Sequence, residues 1–174
     1  MTIVDPRERY DDLIERTAEE VLPDEEFEWH ADSEAAEIGW VVVAFVFDED
    51  ERVLLLDQPW ADGWKPPSGV PKPGETLREA VVREVREETG VAVEPGRAHA
   101  VEEVRLYPES GDEATGFTAA TFAAWAETTG LDPDPGVEDE EIADVQWFEN
   151  PPANRHHPLF DRVYERCVGS STHE

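Results

Sequence analysis

Cysteine occurs once in these 174 residues, at Cys167. A lone thiol forms no internal disulfide and builds no thiolate metal site, so any metal would be held by oxygen or imidazole. Lysine is nearly missing too: Lys65 and Lys72 stand beside twelve arginines, and these fourteen bases face forty-three acids. A net charge of −29 lacks the basic footprint that nucleic-acid phosphates require, so no stable nucleic-acid binding is expected. Nowhere do eighteen apolar residues follow one another, and the opening MTIVDPRERY lacks the apolar run of a signal peptide. The chain therefore reads as soluble and cytoplasmic, with no membrane partner.

The acids are spread along the chain instead of gathered in one tail. Self-repulsion on that scale is relieved by salt, since the Debye length falls to about 3 Å at molar concentration. Acid-rich, lysine-poor composition resembles that of cytoplasmic proteins from salt-accumulating halophiles, and a halophilic archaeal origin is the expectation. It says nothing about chemistry.

The length suits one well-filled core with a small appendage. Residues 5–22, DPRERYDDLIERTAEEVL, read as an amphipathic helix in which Asp5 caps, Pro6 takes the first helical position, and Tyr10, Leu13, Ile14, Val21 and Leu22 form an apolar stripe. IGWVVVAFVFDEDERVLLLDQP, residues 38–59, reads as a hairpin around its polar DEDER turn. After a loop rich in proline and glycine comes a helix from Thr76 to Thr89, stopped at Gly90. Strands follow in VAVEPGRAHAVEEVRLY, GFTAATFAAWAET and IADVQWFEN, then a short helix in PLFDRVYERC that packs through Leu159, Val163 and Tyr164. The order suggests a mixed α/β layer architecture, with an N-terminal helical extension over 1–35, a main domain over 36–150 and a C-terminal helix and tail over 151–174.

On the helix after the loop, Leu77 and Val81 begin an apolar row whose next places at helical spacing are Glu84 and Glu88. Glu87 lies beside them, Val85 keeps the flank apolar, and Arg83 is four residues before Glu87. A solvated charged face with pairs four apart, such as Glu79 with Arg83, each worth about 0.2–0.5 kcal/mol, explains Glu79 and Arg86. It does not explain acids in the apolar row, because half-buried like charges repel unless a cation joins them. Clustered carboxylates without cysteine suit a hard divalent ion, Mg2+ or Mn2+, which leaves room for water and phosphate oxygens.

The stretch from Gly69 to Val91 resembles the signature of the Nudix family: a glycine, five residues, Glu75, seven residues, then Arg83-Glu84-Val85-Arg86-Glu87-Glu88-Thr89-Gly90-Val91. Every specified position is met. The resemblance implies the Nudix fold, a mixed sheet between helices with an additional N-terminal helix here, and Mg2+- or Mn2+-assisted hydrolysis of a diphosphate bond in a nucleoside diphosphate derivative. Carried over, it makes Glu84, Glu87 and Glu88 metal ligands, with Glu84 also a candidate base and Glu87 and Arg83 part of the catalytic group, Arg83 orienting the carboxylates. Gly69 lets backbone approach the metal, while Glu75 and Gly90 support the site. Two rivals are an isomerase of isopentenyl diphosphate, which needs a cysteine near the site, and a sensor that binds a nucleotide without cleaving it. The sequence departs from the family where Pro-Gly-Gly often stands: Pro67-Ser68-Gly69 puts a Cβ where left-handed backbone is disfavoured.

Weaker candidates surround this core. Lys65, Lys72 and Arg105 offer positive charge to a phosphate in a strongly negative chain. Trp64 is the tryptophan whose loop adjoins the site, although aromatic residues in strands are more often core. Glu141, with Glu138, Asp139 and Glu140, lies in an acidic loop that supplies an alternative base. His30 and the pair His156-His157 read as surface polar positions. Tyr107-Pro108 does not choose between dinucleoside polyphosphates and ADP-ribose, and a homodimer is left open.

Overall fold

The computed structural model describes residues 3–59, 63–131, 142–155 and 159–168. The alternation in WVVVAFVF builds the centre. β2 (Trp40–Phe47) sends Val42, Ala44 and Val46 to one face and Val43, Phe45 and Phe47 to the other. β3 (Val53–Asp57) repeats the pattern, Leu54 and Leu56 against Val53 and Leu55. Both faces are apolar because both are covered, each by a helix.

The first face is covered by α3 (Leu77–Thr89), which inserts Leu77, Ala80, Val81 and Val85. The second is covered by α4 (Phe160–Val168), where Phe160, Val163 and Cys167 pack with Leu159 on Phe45 and Leu55. Burying a side chain of this size is worth about 1.5–3 kcal/mol, so these two apolar layers supply much of the driving force for the fold. β6 (Val93–Pro108) and β7 (Thr115–Ala126) form a long antiparallel pair, bulged between Pro95 and Ala100. β7 runs parallel to β2, while β3 takes β4 (Trp64–Lys65) and β8 (Asp144–Phe148) as antiparallel neighbours. β5 (Ser68–Gly69) pairs with β2 at Val42 and Val43. The result is a mixed sheet between helices, with order β1-β6-β7-β2-β3-β4 along its main path, β1 being Ile14–Leu22.

The helix expected over residues 5–22 is not formed. Asp5 does cap and Pro6 does begin a helical turn, but the turn is a single 3-10 element, Pro6–Glu8. Ile14–Leu22 is instead a strand, β1, parallel to β6 from Ile14 beside Ala100 to Leu22 beside Pro108. Apolar residues at 14, 18 and 22 recur every fourth place, a spacing that fits one face of a strand as well as one face of a helix. The free edge of β6 decides between them, and Val21, assigned to the apolar stripe, is exposed. The N-terminal helices come later, as α1 (Asp24–Ala31) and α2 (Glu34–Ile38), the second capped by Ser33 and ended by Gly39 in left-handed conformation.

Candidate active site

α3 is fixed at both ends by its sequence. Thr76 and Glu79 exchange side-chain-to-backbone hydrogen bonds in a reciprocal cap, and Gly90 ends the helix at φ 84°. With the helix so phased, Leu77, Val81 and Val85 enter the core, and Glu84 and Glu88 follow them inward to 7% and 3% exposure. These are the acids that periodicity placed in the apolar row.

Arg83 organises the cluster. Its Nε and Nη2 grip both oxygens of Glu75 at 2.8 and 2.9 Å, its Nη1 reaches Glu84 at 2.7 Å and Glu87 at 3.2 Å, and Nη2 also donates to the Val70 carbonyl at 3.0 Å. All five N–H groups of the guanidinium are used. The Arg83 guanidinium holds the Glu75 carboxyl below the usual carboxylate range, helped by the Lys72 backbone N–H at 2.9 Å. The same bonds hold Arg83 firmly in its charged form.

The loop before α3 completes the floor. The backbone N–H of Ser68 donates to Glu88 Oε1 at 2.9 Å. Gly69 lies against Glu84 so closely that a Cβ there would stand 2.0 Å from the Glu84 carboxyl carbon. The Ser68 Cβ does no harm, because Ser68 sits in β5 and is not among the residues of positive φ. Its hydroxyl instead accepts from Lys65 Nζ at 2.8 Å, and Lys65 also donates to the side chain of buried Gln58 at 3.1 Å. Sequence reasoning missed Gln58 and the Val70 carbonyl; nothing in the sequence around either marks them.

The other candidates disperse. Lys65 pairs with Leu56, whose side chain faces α3, and so points to the same face as the carboxylates. Trp64, one residue earlier, turns to the opposite face, where it packs edge-on against Phe148. It is therefore not brought to the cluster as a stacking platform. Lys72 is exposed and meets Glu75 through its backbone. Arg105 is exposed on β6 and paired with Glu103. Tyr107 donates to Glu19. Glu141, the rest of its acidic loop and His156-His157 lie outside the described residues. Cys167 is buried on the α4 side with its thiol pushed up to about 12 by burial, and the sheet lies between it and the carboxylates. The cysteine that the isomerase rival requires is thus absent from this face.

Every ligand atom the cluster offers is an oxygen. The carboxylates of Glu84, Glu87 and Glu88 share one helix face, and three acids, Glu75, Glu84 and Glu87, bond a single guanidinium. Among the described residues no three acids, histidines or cysteines already converge in coordination geometry. Arg83 occupies the ground between them, and the donor set fits a hard divalent cation better than any other charge-balancing partner.

The fold has known counterparts. The MutT protein from Bacillus halodurans superposes with a TM-score of 0.59 at 22% identity, over 75% of this chain and 82% of that one. The uncharacterized Nudix hydrolase YvcI of Bacillus subtilis is 44% identical over 48 residues, 28% of this chain and 30% of the relative. The human 8-oxo-dGDP phosphatase NUDT18 is 40% identical over 69 residues, 38% of this chain and 21% of the relative. The matched stretches thus span less than a third of either relative. The sequence pattern of the NUDIX domain matches residues 37–165, most of the length, and the chain belongs to the Nudix family.

Proposed function

We propose that this protein hydrolyses a phosphoanhydride bond in a nucleoside diphosphate derivative, with Mg2+ or Mn2+ held by Glu84, Glu87 and Glu88. The observation that carries this reading is the burial of Glu84 and Glu88, beside Glu87 on one face of α3, at places where the helix otherwise buries apolar side chains. A divalent ion there would draw the three carboxylates together, neutralise phosphate oxygens and lower the pKa of a bound water so that it attacks phosphorus as hydroxide. The chain's own groups do the positioning. Arg83 holds Glu84 and Glu87 in place while Glu75 anchors Arg83 from the start of the helix. The Ser68 N–H orients Glu88, and glycine at 69 leaves room for the Glu84 carboxylate. Glu84, buried and braced, is the acceptor we assign for the proton of the attacking water. Lys65, fixed by Gln58 and Ser68 on the same face, meets a phosphate oxygen of the substrate.

The name of the human relative, a phosphatase of an oxidised deoxyguanosine diphosphate, supports a nucleoside diphosphate derivative as the substrate class. The test is a panel of nucleoside di- and triphosphates, ADP-ribose and dinucleoside polyphosphates, assayed with Mg2+ and with Mn2+ at low and at molar salt. Metal-dependent release of a mononucleotide or phosphate from at least one member is expected. Binding of the panel without turnover under any of these conditions would support a nucleotide sensor instead.

A further inference from the structure

The N-terminal arm does more than lead into β1. Between the arm and the first turn of α3 it encloses a cavity of about 260 Å3. Val4, Tyr10, Leu77 and Phe122 give it apolar and aromatic walls, and Arg9 and Arg78 give it charge. The carboxylate cluster lies further along the helix: six residues separate Arg78 from Glu84, about 9 Å of helix axis.

The charge pattern is unusual for this chain. Forty-three acids are spread through the sequence, yet none among the described residues lines this cavity. Of the five acids next to its lining residues in sequence, Asp5 bonds Arg7, Glu75 bonds Arg83 and Glu79 accepts from the Thr76 backbone N–H, while Glu8 and Asp11, on either side of Arg9 and Tyr10, are exposed. Among the described residues, eight arginines have a carboxylate partner and four, Arg9, Arg78, Arg86 and Arg162, do not; two of those four line this cavity. Arg78 is nevertheless fixed in place, since its two Nη groups donate to the carbonyls of Gly96 and Pro95 at 2.7 and 2.8 Å. Neutral carbonyls position the guanidinium without cancelling its charge. Arg9 lies 5.8 Å from the Tyr10 ring, whose other contact, Arg97 at 4.4 Å, has its charge met by Asp12.

We infer that this cavity binds a phosphomonoester that carries one aromatic ring, at a site separate from the carboxylate cluster. Two guanidinium groups match a phosphate carrying about −1.5 to −2 at neutral pH, and carboxylates bring only half that charge. Tyr10 and Phe122 suit the flat body of a single ring, and the volume lies below the range of about 300–1,000 Å3 that holds larger ligands. In a chain of −29, an acid-free pocket is also the place where the general repulsion of anions is locally reversed.

Calorimetric titration of the full chain with phenyl phosphate, in EDTA so that no divalent ion recruits phosphate to the carboxylates, tests the inference. Saturable binding of one ligand per chain is expected, with inorganic phosphate weaker. Arg9→Gln should weaken it about tenfold, the scale of one lost charge-assisted bond, and Arg9→Glu should abolish it. Arg9 is exposed and makes no ion pair among the described residues, so these variants keep the fold, which a thermal melt verifies. Glu87→Gln should bind as the native chain does. Absence of saturable binding, indifference to Arg9→Glu, or loss in Glu87→Gln would each overturn the site.

Discussion

The carboxylate of Glu84 occupies the space that a side chain at position 69 would fill: a Cβ on Gly69 would lie 2.0 Å from the Glu84 carboxyl carbon and 2.4 Å from each oxygen. Glycine is needed here for room and not for backbone conformation, because Gly69 is not among the glycines of positive φ.

Gly69→Ala therefore has to move Glu84. Overpacking of this kind costs about 1–3 kcal/mol, and the displaced carboxylate should lower kcat by tenfold or more. Urea denaturation and steady-state kinetics measure the two effects. A variant with native stability and native kcat would show that the contact is not needed.

Arg83→Lys should fail as a conservative change. Lysine has three donors against the five in use, and it cannot grip both oxygens of Glu75 while reaching Glu84 and Glu87. Leaving charged, half-buried partners unbonded costs about 1.5–3 kcal/mol. Lower stability together with lower kcat is expected, and Glu75→Gln should reproduce part of both. A change in KM alone would contradict the assigned role.

Lys65→Gln should raise KM for an anionic substrate by about tenfold with a smaller change in kcat, since one charge-assisted contact is removed. Ser68→Gly keeps the backbone N–H that Glu88 accepts from and removes only the hydroxyl that holds Lys65, so it should show a milder form of the same defect. An unchanged KM in Lys65→Gln would place the lysine outside the substrate contact.

Acid stability should fall in two windows. His99 is buried on β6 and its Nδ1 has no hydrogen-bond partner among the described residues. Burial, reinforced by Arg166 and Arg97 against the opposing pull of Asp12, pushes its imidazole down to about 4. The unfolded chain takes up a proton near 6.5 that the folded chain refuses, so stability is full above 6.5 and declines as pH falls toward 4, by on the order of 2–3 kcal/mol. The depressed Glu75 carboxyl, charged in the fold by its bond to Arg83, adds a loss that begins only below its ordinary value of 4.5. His99→Leu should flatten the upper window and leave the lower one. Equal slopes in the two proteins between pH 6.5 and 4 would contradict this origin.

How far the sequence could be read depended on how locally each feature is determined. α3 is legible because its cap pair, its stop at Gly90 and its apolar row all lie within one short segment. β2 and β3 are legible because β2 is apolar throughout, β3 is apolar up to its last residue, Asp57, and a polar turn joins them. β1 was not, since a spacing of four serves strand and helix alike and only its neighbour β6 distinguishes them. The facing of Trp64 and Lys65 is set by a two-residue strand, too short for any periodicity, and emerges from pairing with β3. Gln58 and the Val70 carbonyl enter the site only when the loop folds back on α3, a long-range event without a local signature.

The most direct test of the central claim is Mn2+ binding to the native protein, Glu87→Gln and Glu88→Gln, followed by electron paramagnetic resonance and paired with turnover. The account predicts that each variant keeps the native circular dichroism spectrum, binds Mn2+ at least tenfold more weakly and loses about a hundredfold or more in kcat. Native Mn2+ affinity together with near-native turnover in either variant would contradict it.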